Sequence, residues 1–215
     1  MIDARLLPLQ RRLLAPSARW LATQGVGADM VTLAGVALGV AVVPALALGL
    51  PMVALALLAF NRLADGLDGA IAREVGPTDR GAFLDIALDF VVYALVPLGF
   101  ALADPRANAL PAVVLIVAFV GTGSSFLAFA AIAGRRGMTT EAYPTKGLYY
   151  LGGLTEGAET FAIFSLMCIA PGAFPALAYL FGAACALTTF SRWTQGWKAF
   201  APEVPDRSPA PQPAE

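Results

Sequence analysis

The stretch Asp65-Gly66-Leu67-Asp68-Gly69-Ala70-Ile71-Ala72-Arg73, followed by Gly81, Asp85 and Asp89, sets four carboxylates at or near the ends of two very apolar segments. A charge at membrane depth costs about 2.5 kcal/mol or more, so such side chains are rarely idle. Asp65 and Asp68 are three residues apart, and Asp85 and Asp89 are four apart. On helices each pair shares a face. Two facing helices therefore converge four acids on one point. Left alone those charges repel one another, and the simplest remedy is one or two hard divalent cations, Mg2+ or Mn2+.

The surrounding composition fixes the class. Of 215 residues, 58% are hydrophobic and only 13% charged. That is the profile of an all-α integral membrane protein whose spans make up most of the fold. A net charge of −1 supplies no basic field for nucleic acid. The chain has no histidine, which excludes a histidine base, a histidine-assisted nucleophile and imidazole metal ligands. Cys168 and Cys185 lie in apolar segments and read as small buried hydrophobes. They offer neither a disulfide framework nor a metal pair.

Six spans are expected, at roughly 30–50, 51–73, 81–103, 108–134, 147–170 and 174–198, within a single domain over 1–200. Residues 1–22 interleave Arg5, Arg11, Arg12 and Arg19 with Leu6, Leu7, Leu13, Leu14, Trp20 and Leu21. A cleavable signal would place its charges before one apolar run. Interleaving instead predicts an amphipathic interfacial helix on an anionic leaflet, bent or interrupted at Pro8 and Pro16. The tail from Pro202 to Glu215 is proline-rich and reads as disordered.

The basic residues test this layout independently. With the N-terminus in the cytoplasm, only Arg106 of the 14 Lys and Arg residues falls on the outer side. That asymmetry supports both the even span count and an orientation with both termini inside. It also puts the carboxylates at the cytoplasmic face of what resembles a bacterial inner membrane protein. Gly35 and Gly39 form a Gly-x-x-x-Gly pair that predicts close helix packing, and Gly121 and Gly123 predict the same in the fourth span.

The acidic stretch resembles the signature of the CDP-alcohol phosphotransferases: D-x-x-D-G-x-x-A-R, seven to nine residues, then G-x-x-x-D-x-x-x-D. Asp65, Asp68, Gly69, Ala72, Arg73, Gly81, Asp85 and Asp89 match every fixed position across a seven-residue gap. The six-span layout agrees, so the resemblance covers nearly the whole chain. It implies transfer of a phosphoalcohol group from a CDP-linked donor to an acceptor hydroxyl with release of CMP, in a homodimer. Asp65, Asp68 and Asp85 would hold the metal. Asp89 would complete the metal site and act as general base. Gly69 and Ala72 would make room for the cytidine and ribose, Gly81 would belong to the same donor site, and Arg73 would contact the diphosphate. Family members commonly carry Pro-Asn-x-x-Thr at the start of the first span. Here Ala28-Asp29-Met30-Val31-Thr32 keeps the threonine, a further donor-site residue, and loses the Pro-Asn pair. Asp29 is expected to cap that helix in place of Asn.

The resemblance favours CDP-diacylglycerol as donor, which makes this a phospholipid biosynthesis enzyme. The acceptor is open. Arg135, Arg136 and Lys146 bracket the 4–5 connection and would suit an acceptor phosphate such as glycerol 3-phosphate or inositol phosphate, or serve only as positive-inside charges. Glu156 and Glu159 share a face of the expected fifth span, roughly 15–20 Å beyond Lys146. They would suit acceptor hydroxyls or an amine, or else pair with Arg62. The remaining alternatives are plain ion pairing of the four aspartates with Arg62, Arg73 and Arg80, a divalent-cation transporter, and a noncatalytic membrane scaffold. A transporter more naturally carries its acids near the midplane.

Overall fold

The computed structural model describes residues 2–138 and 155–201, with side chains from residue 10 onward. The described residues are all-α: α1 (Ile2–Thr23), α2 (Ala28–Ala47), α3 (Pro51–Val75), α4 (Asp79–Ala103), α5 (Pro105–Arg135), α6 (Gly157–Ile169), a 3-10 turn (Pro171–Ala173) and α7 (Phe174–Ala199). Proline at the first helical position starts α3 and α5, where its missing N–H is no loss. Thr78 caps α4 by accepting from Gly81 N at 3.0 Å, and Asp104 caps α5 through Arg106 N and Ala107 N.

Among the described residues, four stretches are long and apolar enough to cross a membrane: α2, α4, α5 and the 3-10 turn with α7. α3 is as long as α4, but from its middle onward it carries Arg62, Asp65, Asp68, Arg73 and Glu74. The expected helix over 147–170 is not continuous in its described part. Thr155 and Glu156 are not helical and α6 begins only at Gly157. Gly157, a residue of low helix propensity, stands at the first helical position. Residues 147–154, like the tail from 202, lie outside the described residues.

α2 lies against both α3 and α4, α4 against α5, and α5 against α7, while α6 touches α3 and α7. The glycine pair behaves as expected. A Cβ on Gly35 would stand 2.9 Å from Ala64 Cβ, and one on Gly39 would stand 2.6 Å from Val92 Cγ2. Gly123 likewise admits the ring of Phe90, and Gly121 admits Thr189. The main core fills the end of the bundle away from the acids. Phe100 stacks on Phe174 at 4.4 Å, and Phe119 meets Tyr93, Phe164 and Phe181 at about 6 Å.

α1 runs unbroken through Pro8 and Pro16. Leu14, Ala18 and Leu21 pack on Leu67, Ala70 and Ile71 of α3. Gly66 makes this approach possible, since a Cβ there would meet Leu14 Cδ1 at 2.9 Å. Leu13 and Trp20 face outward. α1 thus has two apolar sides, one used within the protein.

Candidate functional site

A three-residue connection, Gly76-Pro77-Thr78, joins α3 to α4. Gly76 has φ +102°, a backbone that side chains other than glycine rarely adopt. The chain therefore reverses there, and α3 and α4 both pack on α2, with their acidic side chains turned toward each other. Asp68 lies seven residues before the end of α3 and Asp85 six after the start of α4, so they stand level. Asp65 and Asp89 lie one turn deeper.

One carboxylate oxygen from each of Asp65, Asp68 and Asp85 falls within 4.8 Å of the others. Oxygens around a cation with ~2.1 Å bonds stand about 3–4 Å apart, so a small side-chain rotation closes the set. The donors are all hard oxygens, the chemistry that suits Mg2+ or Mn2+. Asp68 is buried, and Thr32 Oγ1 donates to its Oδ2 at 2.6 Å. Thr32 thus orients a metal-ligand candidate from α2. Hydrogen bonds of this kind to a ligand are typically worth about 10- to 100-fold in metal affinity. Thr32→Val is therefore expected to weaken Mn2+ binding by about 10-fold, with Thr32→Ser near wild type. Equal affinity in Thr32→Val would remove this role.

Asp89 is not a member of the three-oxygen group. It faces Arg62, whose Nη2 donates to Asp89 Oδ1 at 2.5 Å and whose Nη1 donates to Oδ2 at 3.4 Å. Nη1 also stands 3.6 Å from Asp65 Oδ2. Arg62 thus pairs with two of the four aspartates, while Arg80 pairs with Asp29 at 2.5 Å. The sequence carried a clue, because Arg62 lies one helical turn before Asp65 and shares its face.

The remaining donor-site candidates line the same end. Arg73 is exposed and folds back along its helix, its Nη1 3.4 Å from where a Cβ on Gly69 would be. Ala72 is half-buried. Gly81 is half-buried, and a Cβ on it would meet Thr78 Oγ1 at 3.1 Å and Asp29 Oδ1 at 3.3 Å. Asp29 is not the cap of α2. Gly27 occupies that position without a side-chain bond, and Asp29 sits inside the first turn, bridging to Arg80. Its charge still suits a helix N-terminus.

The acceptor candidates do not come together as one set. Lys146 lies outside the described residues. Arg135 is exposed. Arg136 donates to the carbonyls of Ala199 and Phe200 and lies over the Phe200 ring, closing the end of α7. Glu156 is buried at the N-cap of α6 and Glu159 is half-buried in its first turn. The two acids therefore meet the positive end of a helix dipole, which lowers their cost. Neighbouring Thr155 bonds Thr188 of α7 at 3.2 Å. One turn along α7, Arg192 is buried, donates to Thr122 O at 3.0 Å and lies over Phe126. Sequence reading counted Arg192 only as a flanking charge, and its burial has no local signal.

An apolar groove of about 570 Å³ runs between α2 and α3, walled by Met30, Ala34, Leu38, Phe60, Leu63 and Leu67. Gly35 borders both this groove and the small cavity that contains the aspartates.

Comparison with known proteins agrees. Inner membrane protein YnjF of Escherichia coli (strain K12) is 51% identical over 197 residues, covering 92% of this chain and 96% of that protein. The fold is that of the phosphatidylinositol phosphate synthase of Mycobacterium tuberculosis. Its structure with CDP-DAG bound superposes with a TM-score of 0.71, at 24% identity, over 90% of this chain and 99% of that one. Its complex with manganese and citrate gives 0.70 at 24% identity, over 89% and 93%. The family model for CDP-alcohol phosphatidyltransferases matches residues 26–190, three quarters of the chain and the whole of the aspartate site; this chain belongs to the CDP-alcohol phosphatidyltransferase family.

Proposed function

We propose that the protein transfers a phosphatidyl group from CDP-diacylglycerol to an acceptor alcohol, releasing CMP, in a divalent-metal-dependent step of phospholipid synthesis. The observation that carries this reading is the junction at Gly35, where three converging carboxylates adjoin an apolar groove open between two helices. A nucleotide diphosphate needs the first and two acyl chains need the second. A cation transporter or scaffold has no use for that pairing. CDP-DAG in the mycobacterial synthase is consistent with it.

In this reading Asp65, Asp68 and Asp85 hold Mg2+ or Mn2+, and Thr32 orients Asp68. The ion supplies positive charge to the diphosphate and to the departing CMP phosphate. Gly69 and Ala72 leave room for the nucleoside, Gly81 keeps the α4 side open, and Arg73 reaches the diphosphate. The acceptor oxygen attacks the phosphorus that bears the diacylglycerol. A P–O bond to the acceptor forms, the bond to CMP breaks, and Asp89 takes the acceptor proton. With neither histidine nor an activated cysteine, direct attack is favoured over a covalent intermediate. Purified protein given CDP-diacylglycerol and Mg2+ is expected to release CMP only when a suitable alcohol is present. No CMP release across a panel of polyols, amino alcohols and their phosphates would overturn the reading.

The panel also separates the acceptor classes. Two acids at the start of α6 favour a non-phosphorylated polyol or amino alcohol, and Glu156→Gln or Glu159→Gln then raises its KM by about 10-fold. Buried Arg192 favours the second reading, a phosphorylated acceptor, with Arg135, Arg136 and Lys146 as further candidates. In that case the basic positions control KM and the glutamate changes are mild.

The proposed setting is a homodimer in the inner membrane with six spans, α3 and α6 joining the four apolar stretches, and α1 at the cytoplasmic interface. YnjF, the Escherichia coli relative, is an inner membrane protein. The site and both termini face the cytoplasm. Single cysteines at Pro77 and Thr140 are expected to label only from the cytoplasmic side and one at Ala107 only from outside, since the native Cys168 and Cys185 are buried. Labelling of position 77 from outside would invert the topology.

A further inference from the structure

Arg62 lies outside the eight signature identities, yet among the described residues it is the best-anchored cation at the site. Its Nε and Nη2 both donate to Asn61 Oδ1, at 3.1 and 3.0 Å. Asn61 is itself buried and fixed from α2, donating through Nδ2 to Gly35 O at 2.9 Å. On the α4 side Nη1 donates to the Tyr93 hydroxyl at 3.3 Å, and the guanidinium lies over that ring, 5.4 Å from its centre. Tyr93 is in turn wedged between Phe119 and Phe164. Helices on both sides therefore dictate where this positive charge stands.

It stands between Asp65 and Asp89. Four carboxylates that converge on a metal site leave two ways to neutralise the deeper pair: a second divalent cation, or a fixed organic one. We propose that Arg62 is a positioning residue whose guanidinium takes the place of a second divalent ion between Asp65 and Asp89, so that the site holds one metal ion and Asp89 stays outside its ligands. The inference rests on the metal-dependent transfer proposed above. A dication brought beside the guanidinium would meet a repulsion twice that of two unit charges at the same spacing. The fork on Asp89 engages both of its oxygens, which holds the carboxylate in one orientation for a substrate hydroxyl.

The test is Mn2+ binding to the detergent-purified full chain without substrate, followed by electron paramagnetic resonance. The wild type is expected to bind one Mn2+ per chain, and Asp89→Asn to leave that affinity within about threefold. Arg62→Gln is expected to raise the count to two, and the Arg62→Gln/Asp89→Asn pair to return it to one. Asp68→Asn, which removes the first site, serves as the zero. Two ions in the wild type, or a 10-fold loss of affinity in Asp89→Asn, would overturn the proposal whether or not Arg62→Gln folds. A count that stays at one in folded Arg62→Gln would do the same. CMP release is measured on the same samples. If it is absent while the counts hold, the transfer reading has failed and the role of Arg62 stands.

Discussion

Asp68→Asn is expected to reduce CMP release by about 1000-fold, a barrier increase of ~4 kcal/mol, and to abolish Mn2+ binding while the protein stays folded. Asp68 is the most enclosed of the three clustered carboxylates and the one gripped by Thr32. Asparagine keeps its volume, and its amide oxygen can still accept from Thr32. What disappears is one negative charge facing the proposed ion. Asp65→Asn and Asp85→Asn are expected to follow the same pattern. An Asp68→Asn enzyme that keeps more than about a tenth of the wild-type rate, with normal Mn2+ binding, would exclude Asp68 from the metal site.

The second large effect is structural. Gly39→Leu is expected to prevent recovery of a monodisperse protein, because the first added carbon would already stand 2.6 Å from Val92 Cγ2 and 3.4 Å from Asn61 Nδ2. Val92 is buried and has nowhere to retreat. Overpacking typically costs about 1–3 kcal/mol. Here the strain pushes α2 away from α4 and crowds Asn61, whose bond to Gly35 lies one turn along α2 from Gly39. Gly39→Ala is expected to fold with a lower melting temperature in detergent, and Gly134→Ala, where a Cβ would meet nothing within 4 Å, to be silent. Gly39→Ala and Gly134→Ala melting together would show that α2 does not depend on this approach.

The aspartate cluster was legible in the sequence because every part of it is local. Spacings of three and four place acids on helix faces, and a short connection brings the two helices onto the preceding α2 with those faces toward each other. The Gly35–Gly39 approach was legible for the same reason. The partners of charges were harder to read, because a charge can reach any helix that packs nearby. Asp29 looked like a cap and instead bridges to Arg80, 51 positions away in sequence. Arg62 was weighed as a partner for the glutamates or for the aspartates, and it holds Asp89. Glu156 and Glu159 were placed mid-helix because hydropathy runs on through the Gly-rich stretch, and hydropathy does not register a helix start. α1 was read as purely interfacial, since amphipathicity shows that a face is apolar but not what covers it.

The Gly76 turn has a consequence for assembly. Residues 65 to 89 contain every proposed metal ligand, the proposed base and the connection that aligns them. Closing so short a segment costs little chain entropy, and the one further helix it needs, α2, precedes it in the chain. The carboxylates are therefore set opposite one another as soon as α3 and α4 have both docked on α2, before α5 to α7 have been synthesised. Faults in the later helices are expected to disturb what the enzyme accepts more than whether it binds its ion. The early hairpin is also the moment of greatest crowding of like charge, and Arg62 is already in the chain by then.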